Sequence, residues 1–373
     1  MKVNTLNKIK DIEEFSKLFK INIPIKEHFD YYINSLSQSI QFLEINLLVK
    51  KFIELENYSQ SLGYSSAKSY KLDFALPRLL KYITDSDVYN KIQEFELPKN
   101  VKMIYKNDLN KKNIEDFWYI SFDISKANYS TFKLFDSSND LKDSWEDLCF
   151  ALDIHETLIK SKSFRQLVFG HLIPNKIQKI QHSHISNVIS NIKLLGFSDD
   201  NIAFISHDEF ILRFDKKDSH DIWLMKQYTS KEIISEFSSF ANDLPISRSI
   251  FQIQKIGKEM YVKFIFDDNL EKKYNKLHAV PGNKFYKYFK VHVLKGDIDD
   301  RDLFFINDGD IAKWEINEDS IEEIYYPKGE LSLEEVRRDY SDIFEELSND
   351  IPNLTNSQKR KIVNIFIKNN LKK

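Results

Sequence analysis

One stretch of the sequence decides the fold prediction: Ile202-Ala203-Phe204-Ile205-Ser206-His207-Asp208-Glu209-Phe210-Ile211-Leu212-Arg213-Phe214. Two short apolar runs, rich in β-branched and aromatic residues, flank four polar residues. Such runs are typical of β-strands, and a short polar connection between them is typical of a β-hairpin. The sequence therefore predicts a tight hairpin whose charged turn carries Asp208 and Glu209.

A second carboxylate stands at the end of another strand candidate. Asp123 directly follows the run Trp118-Tyr119-Ile120-Ser121-Phe122. If this strand lies beside the hairpin in one antiparallel sheet, Asp123 and Asp208 converge at the strand ends. Two carboxylates there could hold two divalent ions about 3.5–4 Å apart, an arrangement that activates an attacking hydroxyl and stabilises a leaving phosphate. Hard oxygen ligands suit Mg²⁺ or Mn²⁺.

The remaining pattern predicts an α+β fold, with an antiparallel sheet and helices before, within and after it. Apolar positions at helical spacing predict helices in residues 27–95 and also in 141–152, 154–169 and 174–195. Strand candidates follow at 250–256, 260–266 and 286–294, and two helical stretches lie near 333–347 and 356–371. We expect a helical N-terminal region at 1–100, a sheet domain with inserted helices at 101–325, and C-terminal helices at 326–373.

Composition limits the class of protein. The chain has 373 residues, of which 42% are hydrophobic and 14% aromatic, which indicates a globular protein. The only cysteine, Cys149, excludes an intramolecular disulfide and fits a reducing compartment. Neither an apolar signal core after Met1 nor a run of 18 apolar residues occurs, so we expect a soluble intracellular protein of the cytoplasm, nucleoid or nucleus with no membrane partner.

Several enzyme classes lack motif support. The sequence contains no Gly-x-x-x-x-Gly-Lys-Ser/Thr phosphate loop, no Gly-x-Gly-x-x-Gly fingerprint and no Gly-x-Ser-x-Gly elbow. A P-loop ATPase, a Rossmann dehydrogenase and a standard esterase are therefore not favoured. The formal net charge of -3 gives no overall basic signature, so a nucleic-acid partner would need a local basic patch.

Three motifs together resemble those of family A DNA polymerases, in the same order along the chain. Asp123-Ile124-Ser125-Lys126-Ala127-Asn128 is similar to the palm motif Asp-Tyr-Ser-Gln-x-Glu. Arg165-Gln166-Leu167-Val168-Phe169-Gly170 is similar to the fingers motif Lys-x-x-x-Phe-Gly. The hairpin triplet His207-Asp208-Glu209 matches the third motif in full. The resemblance covers roughly residues 115–257.

The resemblance implies a polymerase-type palm with short helical fingers and a reduced thumb-like N-terminal region. It makes Asp123 and Asp208 the ligands of Mg²⁺ or Mn²⁺ and Glu209 a secondary catalytic carboxylate. The nucleotide would be bound by residues of the first two motifs: Lys126, Asn128, Arg165 and Phe169. Asn128 stands where the family has a glutamate that excludes a 2'-hydroxyl, and residues 170–207 leave room only for shortened fingers.

A lysine-rich stretch gives the best candidate for nucleic-acid contact. Within Lys272–Lys295, lysines alternate with aromatic residues that could stack on bases, while the ammonium groups meet backbone phosphates. The candidate nucleic-acid-binding residues are Lys273, Lys276, Lys284, Lys287 and Lys290. The alternative is a solvated face of ordinary β-strands, which is the commoner origin of such charge runs.

The sequence thus favours a nucleic-acid polymerase or nucleotidyltransferase that transfers a nucleotide from a nucleoside triphosphate to a primer 3'-hydroxyl. Two alternatives stay open. The chain could be a non-catalytic, palm-like nucleic-acid-binding or structural subunit that works with other replication or transcription proteins. The motif matches could also be coincidental on an unrelated α+β protein.

Overall fold

The computed structural model describes residues 9, 11–97, 104–109, 113–194, 197–228, 231–307, 310–317 and 320–322. Contacts divide the chain into two compact units. The first unit comprises Met1–Ile12, Asn22–Ile45 and Val280–Lys373, and the second comprises Glu13–Ile21 and Asn46–Ala279. All three motifs therefore lie in the second unit. The predicted boundaries at residues 100 and 325 do not coincide with this division.

Helices make up most of the described residues before the sheet, as predicted for residues 27–95. Serine side chains fix two of their starts, because Ser66 and Ser86 accept hydrogen bonds from the backbone N–H groups of Ser69 and Tyr89. A π-helical segment, Lys71–Ala75, joins the fourth helix to the fifth. The helices are α1 (Ile12–Phe19), α2 (Phe29–Ser37), α3 (Ile45–Ser61), α4 (Ala67–Tyr70), α5 (Leu76–Thr84) and α6 (Asp87–Glu94).

Further helices are inserted between the strands of the sheet. The predicted helix at 174–195 is confirmed as α11, whereas the predicted helix at 154–169 is divided into two, α9 and α10. The division falls at Ser161, whose side chain accepts a hydrogen bond from the Phe164 N–H and so begins a new helix. These helices are α7 (Ala127–Leu134), α8 (Trp145–Ala151), α9 (Glu156–Ile159), α10 (Lys162–Gly170), α11 (Pro174–Leu194), α12 (Ser219–Tyr228) and α13 (Lys231–Phe240). One further short helix, α14 (Phe285–Tyr288), follows the sheet.

Seven antiparallel strands form the sheet of the second unit, in the order β1-β3-β4-β2-β5-β6-β7. The long strand β2 lies near the middle, between β4 of the predicted hairpin and β5. The predicted hairpin is confirmed as β3 and β4. The strands are β1 (Lys106–Asn107), β2 (Phe117–Ile124), β3 (Ile202–Ile205), β4 (Glu209–Asp215), β5 (Ile246–Gly257), β6 (Met260–Phe266) and β7 (Lys272–His278).

One face of this sheet packs into the main hydrophobic core. Alternate residues of β2, Ile120, Phe122 and Ile124, point to this side, which we term the core face. Phe122 stacks on Phe210 of β4 with ring centroids 5.0 Å apart, and Phe237 of α13 meets it edge-on at 4.9 Å. Buried isoleucines of α11 complete the cluster. Aromatic contacts of this kind hold the three central strands against the helices.

One predicted strand is wrong. Residues 286–294 are helical, with α14 followed by a π-helical segment, Phe289–Leu294. Buried Tyr286 and Phe289 pack on Tyr32 and Phe42 of the same unit, with ring centroids 4.4 and 5.9 Å apart. Aromatic residues at helical spacing therefore pack into this small core, which the alternating side chains of a strand would fill less well.

The rest of the first unit contains two short antiparallel hairpins. They are formed by β8 (Phe304–Asn307) with β9 (Asp310–Lys313) and by β10 (Glu315–Asn317) with β11 (Ser320–Glu322). The predicted helices at 333–347 and 356–371 lie outside the described residues. Within the described ranges, no helix combines the length and apolar character needed to cross a bilayer.

Candidate functional site

Strand β2 places Asp123 directly opposite Glu209, the first residue of β4. Because side chains alternate along a strand, Ser121, Asp123 and Glu209 share the side of the sheet opposite the core face, which we term the carboxylate face. The backbone at this end of β2 is held on both sides. The Ile124 N–H donates to the Asp208 carbonyl at 2.9 Å, and the Ser247 hydroxyl of β5 donates to the Asp123 carbonyl at 3.1 Å.

Ser206 organises the turn that carries Asp208. Its N–H donates to the Glu209 carbonyl at 2.8 Å, and its hydroxyl accepts from the Glu209 N–H at 3.2 Å. The same hydroxyl lies 3.3 Å from an Asp208 carboxylate oxygen, and His207 Nε2 lies 3.3 Å from that oxygen. Two polar neighbours within the turn therefore orient the Asp208 carboxylate.

The carboxylates of this site repel one another. Burial, and after it the negative charges of Asp208 and Glu209, raise the pKa of Asp123 to about 7, while the charge of Lys162 opposes the shift. The geometry explains the repulsion, since Asp123 faces Glu209 across the strand pair and Asp208 lies in the adjoining turn. The two predicted metal ligands are thus brought together at one end of the sheet.

Glu209 is held by a hydroxyl group from β2. The Ser121 hydroxyl donates to Glu209 Oε1 at 2.5 Å, so the Glu209 carboxylate lies over the carboxylate face. A hydrogen bond to a charged acceptor is stronger than one between neutral groups. Glu209 is therefore oriented by Ser121, while the Asp208 carboxylate is oriented within the turn.

Asp123 and Asp208 are the residues that the sequence predicts as ligands of a magnesium or manganese ion. Mg²⁺ is usually bound by one or two carboxylates together with water and substrate phosphates, and less often by an all-protein cage. Among the described residues, no group of three or more His, Cys, Asp or Glu side chains is arranged to hold a metal ion. Carboxylate oxygens are among the ligands that Mg²⁺ and Mn²⁺ prefer, so the prediction of a metal site remains to be tested.

Comparison with known proteins finds no match. No protein-family model matches the sequence, no curated protein matches it, and no solved structure matches the fold.

The two predicted nucleotide-binding cations share one carboxylate. Lys126 Nζ lies 2.5 Å from an oxygen of Glu146, the second residue of α8. Arg165 of α10 is half-buried near the same carboxylate, and burial lowers its pKa while Glu146 opposes that shift. Lys126 also has a positive φ of 50°, in the sharp turn between β2 and α7. Glu146 therefore offsets both charges within the protein.

Phe169 lies in the core. Only 1% of the residue is exposed, and its ring packs against Phe132 and Trp145 with centroids 5.3 and 5.8 Å away. The apolar residues Phe164, Val168 and Phe169 form the buried side of α10. The structure thus brings Phe169 into a helical core, whereas the resemblance implies a ring that packs against a nucleotide base.

Asn128 is tied to the neighbouring helix α11. Its side-chain oxygen accepts a hydrogen bond from Gln181 Nε2 at 3.1 Å, and the same nitrogen lies 3.2 Å from the Thr131 hydroxyl. Gln181 is buried, so this amide pair is fixed by packing as well as by hydrogen bonding. Asn128 stands in the first turn of α7, five residues after Asp123.

The candidate nucleic-acid-binding lysines divide between the two units. In the second unit, strand registers place Lys276 of β7 opposite Lys263 of β6, and both lie on the carboxylate face. Lys273 falls at a register shift of the same strand, between Lys272 and Tyr274. In the first unit, Lys287 is buried with its ammonium 3.5 Å from the Trp314 ring centroid. Lys284 approaches the Trp314 ring, and Lys290 approaches the ring of Tyr31.

Sequence reasoning missed Ser121, Ser206 and Lys162. A signal existed for the first two, because Ser121 lies two residues before Asp123 on the same strand face and Ser206 opens the charged turn. Lys162 lies three residues before Arg165 and therefore near it on the helix surface. The structure adds that the charge of Lys162 opposes the rise in the pKa of Asp123.

Proposed function

We propose that this chain is a metal-dependent nucleotidyltransferase of polymerase type that extends a nucleic-acid primer. The observation that carries the proposal is the convergence of Asp123 and Asp208 at one end of an antiparallel sheet, on adjacent elements that hold their backbones in register. Without a counter-charge such a cluster opposes folding, since like-charged carboxylates disfavour each other's ionised form. A bound divalent cation would remove this repulsion.

In the proposed reaction the primer 3'-oxygen forms a bond to the α-phosphorus of a nucleoside triphosphate. The bond from that phosphorus to the bridging oxygen breaks, pyrophosphate leaves with the electron pair, and the hydroxyl proton passes to solvent. When bound, Mg²⁺ or Mn²⁺ would lower the pKa of the hydroxyl and stabilise the charge on the phosphate oxygens. The protein's contribution is chiefly positioning and charge stabilisation.

The chain's own residues have distinct parts in this proposal. Asp123 and Asp208 would hold the ions, and Glu209 would act as the secondary carboxylate. Ser121 would keep Glu209 oriented, because it is the donor to that carboxylate. Ser206 would act in the same way on Asp208. Outer hydrogen-bond partners of this kind typically change metal affinity or activity by roughly 10–100-fold when removed.

A primer and template would lie along the carboxylate face. Lys276 of β7 is exposed on this face, and ammonium groups bind backbone phosphates without reading sequence. Lys263, opposite it on β6, has its ammonium 4.2 Å from the Phe251 ring centroid, and burial lowers its pKa to about 8. This arrangement supports nucleic acid as the partner. It also replaces the single patch predicted from residues 272–295 by a pair of lysines on the same side as Asp123.

A second function is favoured by two particular observations. Phe169 is covered by core residues, and the charge of Arg165 is offset by Glu146, so two elements of the nucleotide clamp of family A polymerases are not in place. These observations support a non-catalytic, palm-like subunit that binds nucleic acid within a larger replication or transcription assembly. Under this alternative, nucleic-acid binding would not depend on Asp123 or Asp208.

Primer extension distinguishes the two functions. Purified protein is supplied with primed templates, Mg²⁺ or Mn²⁺, and deoxynucleotides or ribonucleotides. We expect metal-dependent extension that is lost in Asp123→Ala and in Asp208→Ala and kept in Asp199→Ala, a matched control at an exposed carboxylate. Absence of extension on every template, with equal nucleic-acid binding by all variants, would contradict the proposed function and favour the non-catalytic one.

A further inference from the structure

Tyr105 stands beside the hairpin that carries Asp208, with its ring in solvent. Among the described residues it is the most exposed large hydrophobic side chain, at 72%. It directly precedes β1, which pairs with β3, and β3 leads into the turn that contains Asp208. A single exposed ring is common on protein surfaces and needs no ligand to explain it. What distinguishes Tyr105 is the cavity that its ring lines.

This cavity, which we term the Tyr105 cavity, lies between the start of β1 and the end of β3. Its volume is about 400 Å³, within the range of about 300–1,000 Å³ that is usual for ligand pockets. Tyr105 and Phe204 contribute aromatic rings to the wall, while Asn107, Ser206 and His207 contribute hydrogen-bonding groups. Such a wall suits a planar ring that has polar groups on its edge.

Two residues of the wall contact the carboxylate of Asp208. The Ser206 hydroxyl and His207 Nε2 each lie 3.3 Å from Asp208 Oδ1. Phe204 pairs with Ile211 of β4, which puts it on the carboxylate face. The Tyr105 cavity therefore adjoins the candidate metal site, and one ligand could reach both.

The Tyr105 cavity does not suit a phosphate group. Lys106 is the one lysine among the residues that line it. Its ammonium lies 3.3 Å from Asp108 Oδ2 and donates a hydrogen bond to the Asp199 carbonyl. Because the cation is already engaged within the protein, the part of a ligand that enters the cavity should be uncharged.

His182 of α11 lies against Tyr105, with ring centroids 4.0 Å apart. Its Nε2 donates to the Ile104 carbonyl at 2.7 Å, because a carbonyl oxygen can only accept. Its Nδ1 is buried and has no hydrogen-bond partner among the described residues. Since buried polar atoms are usually hydrogen-bonded, this unpaired nitrogen next to the cavity points to a ligand that supplies a donor.

We propose that the Tyr105 cavity binds a nucleobase, which stacks on the Tyr105 ring. The choice of a nucleobase rests on the proposed function, which brings a nucleotide or the end of a primer to Asp208. A base is planar and uncharged, and its edge has N–H groups of the kind that His182 Nδ1 lacks. Phe169 cannot provide this stacking surface, because its ring is covered by core residues. Stacking on an aromatic side chain tolerates every base.

Fluorescence of 2-aminopurine tests this inference without catalysis, since the emission of this base is quenched when it stacks. Two probes are titrated with the full chain: 2-aminopurine riboside triphosphate with Mg²⁺, and a single-stranded oligonucleotide with 2-aminopurine at its 3' end. We expect the wild type to quench at least one probe. Tyr105→Phe should keep the quenching, whereas Tyr105→Ala should lose it and weaken binding roughly tenfold.

Trp223→Ala is the matched control, because Trp223 is also an exposed aromatic residue, at 55%, but lies on α12, beyond the opposite end of β4. It should quench and bind as the wild type does. Thermal unfolding of each variant verifies that the fold is kept. The probe that is quenched identifies the source of the base: the triphosphate indicates an incoming nucleotide, and the oligonucleotide indicates the end of a primer.

Quenching that survives in Tyr105→Ala, or no quenching of either probe by the wild type, would overturn the inference. Quenching that depends on the Tyr105 ring supports it, even where no primer is extended and the proposed function fails. Primer extension by Tyr105→Ala with an unchanged nucleotide KM and an unchanged primer affinity would overturn this inference alone.

Discussion

At the end of the central strands where Asp123 stands, the two faces of the sheet contain opposite kinds of side chain, whereas farther along the strands the carboxylate face also carries buried Tyr119, Ile211 and Phe251. On the core face, Phe122, Phe210 and Phe237 pack together and are fully buried. On the carboxylate face, Asp123 and Glu209 stand at the same level of the same strands, together with Ser121. Successive residues of β2 therefore have opposite effects on stability, since Phe122 packs in the core while its neighbour Asp123 repels the carboxylates around it.

Among substitutions on the two faces, those of Asp123 and Asp208 should have the largest effect, and the quantity that changes is the rate of nucleotide transfer. Under the proposed function, Asp123→Ala or Asp208→Ala should lower metal-dependent nucleotide transfer by roughly a thousandfold or more, because removing a metal ligand exceeds the 10–100-fold loss for its outer partners. Rates of single-nucleotide incorporation at saturating Mg²⁺ measure this change. Activity within tenfold of the wild type in either variant would contradict the assignment.

Substitution on the core face should act on stability instead. We expect Phe122→Ala to lower the free energy of unfolding by about 3–5 kcal/mol, since it removes a buried ring and leaves a cavity between β4 and α13. Urea denaturation monitored by circular dichroism measures the loss. Phe122→Leu is the matched control and should cost less, because it keeps most of the buried apolar volume. A loss below about 1 kcal/mol for the alanine variant would mean that Phe122 is not part of a well-packed core.

Charge removal on the carboxylate face should stabilise the metal-free protein. The folded state raises the pKa of Asp123 to about 7 from an ordinary value of 3.8. The protonated carboxyl therefore favours folding below pH 4, and this contribution is lost as the pH rises through about 7. At pH 8 with a chelator, Asp123→Asn should be more stable than the wild type by about 1–2 kcal/mol, a figure reduced to allow for solvent screening.

Thermal unfolding between pH 4 and pH 8 tests this sign. The difference in melting temperature between Asp123→Asn and the wild type should be small near pH 4 and grow towards pH 8. It should shrink again when Mg²⁺ is added, since the ion stabilises only the wild type. A variant that is less stable than the wild type at pH 8 without metal would contradict the repulsion described for this face.

The smallest predicted effect concerns Ser121. Ser121→Ala removes the donor to Glu209 Oε1 and should lower the rate of nucleotide transfer by about tenfold or less, since the secondary carboxylate stays in place but is less well oriented. Steady-state kinetics should show the change in kcat, with the KM for the nucleotide unaltered. Ser249→Ala, at the neighbouring position of β5, is the control and should have no measurable effect.

The sequence predicts the sheet near the site well, because local patterns specify it. Short apolar runs rich in β-branched and aromatic residues identify β2, β3 and β4, and the charged turn between β3 and β4 fixes where Asp208 stands. For Asp123 to face the hairpin, β2 and β4 need only be neighbours in an antiparallel sheet, and the structure confirms that they are. The position of Asp123 opposite Glu209 follows from a short-range pattern and one pairing.

The surroundings of Arg165 could not be predicted in the same way. Its partner Glu146 lies on α8, and whether the two meet depends on how α8 and α10 pack. The position of Phe169 is equally hard to predict, since a phenylalanine in an amphipathic helix can face either a ligand or the core. Its contacts with Phe132 and Trp145 show that it faces the core. The helix at 285–294 was mistaken for a strand because its aromatic residues have high β-propensity, which tertiary packing overrides.

The central claim is that the carboxylate face binds divalent cations through Asp123 and Asp208, and Mn²⁺ binding measured by electron paramagnetic resonance tests it most directly. We predict that the wild type binds Mn²⁺ and does so more tightly in the presence of a nucleoside triphosphate. Asp123→Asn and Asp208→Asn should each lose this binding, whereas Asp199→Asn should keep it. Equal Mn²⁺ affinity in the wild type and all three variants would contradict the account.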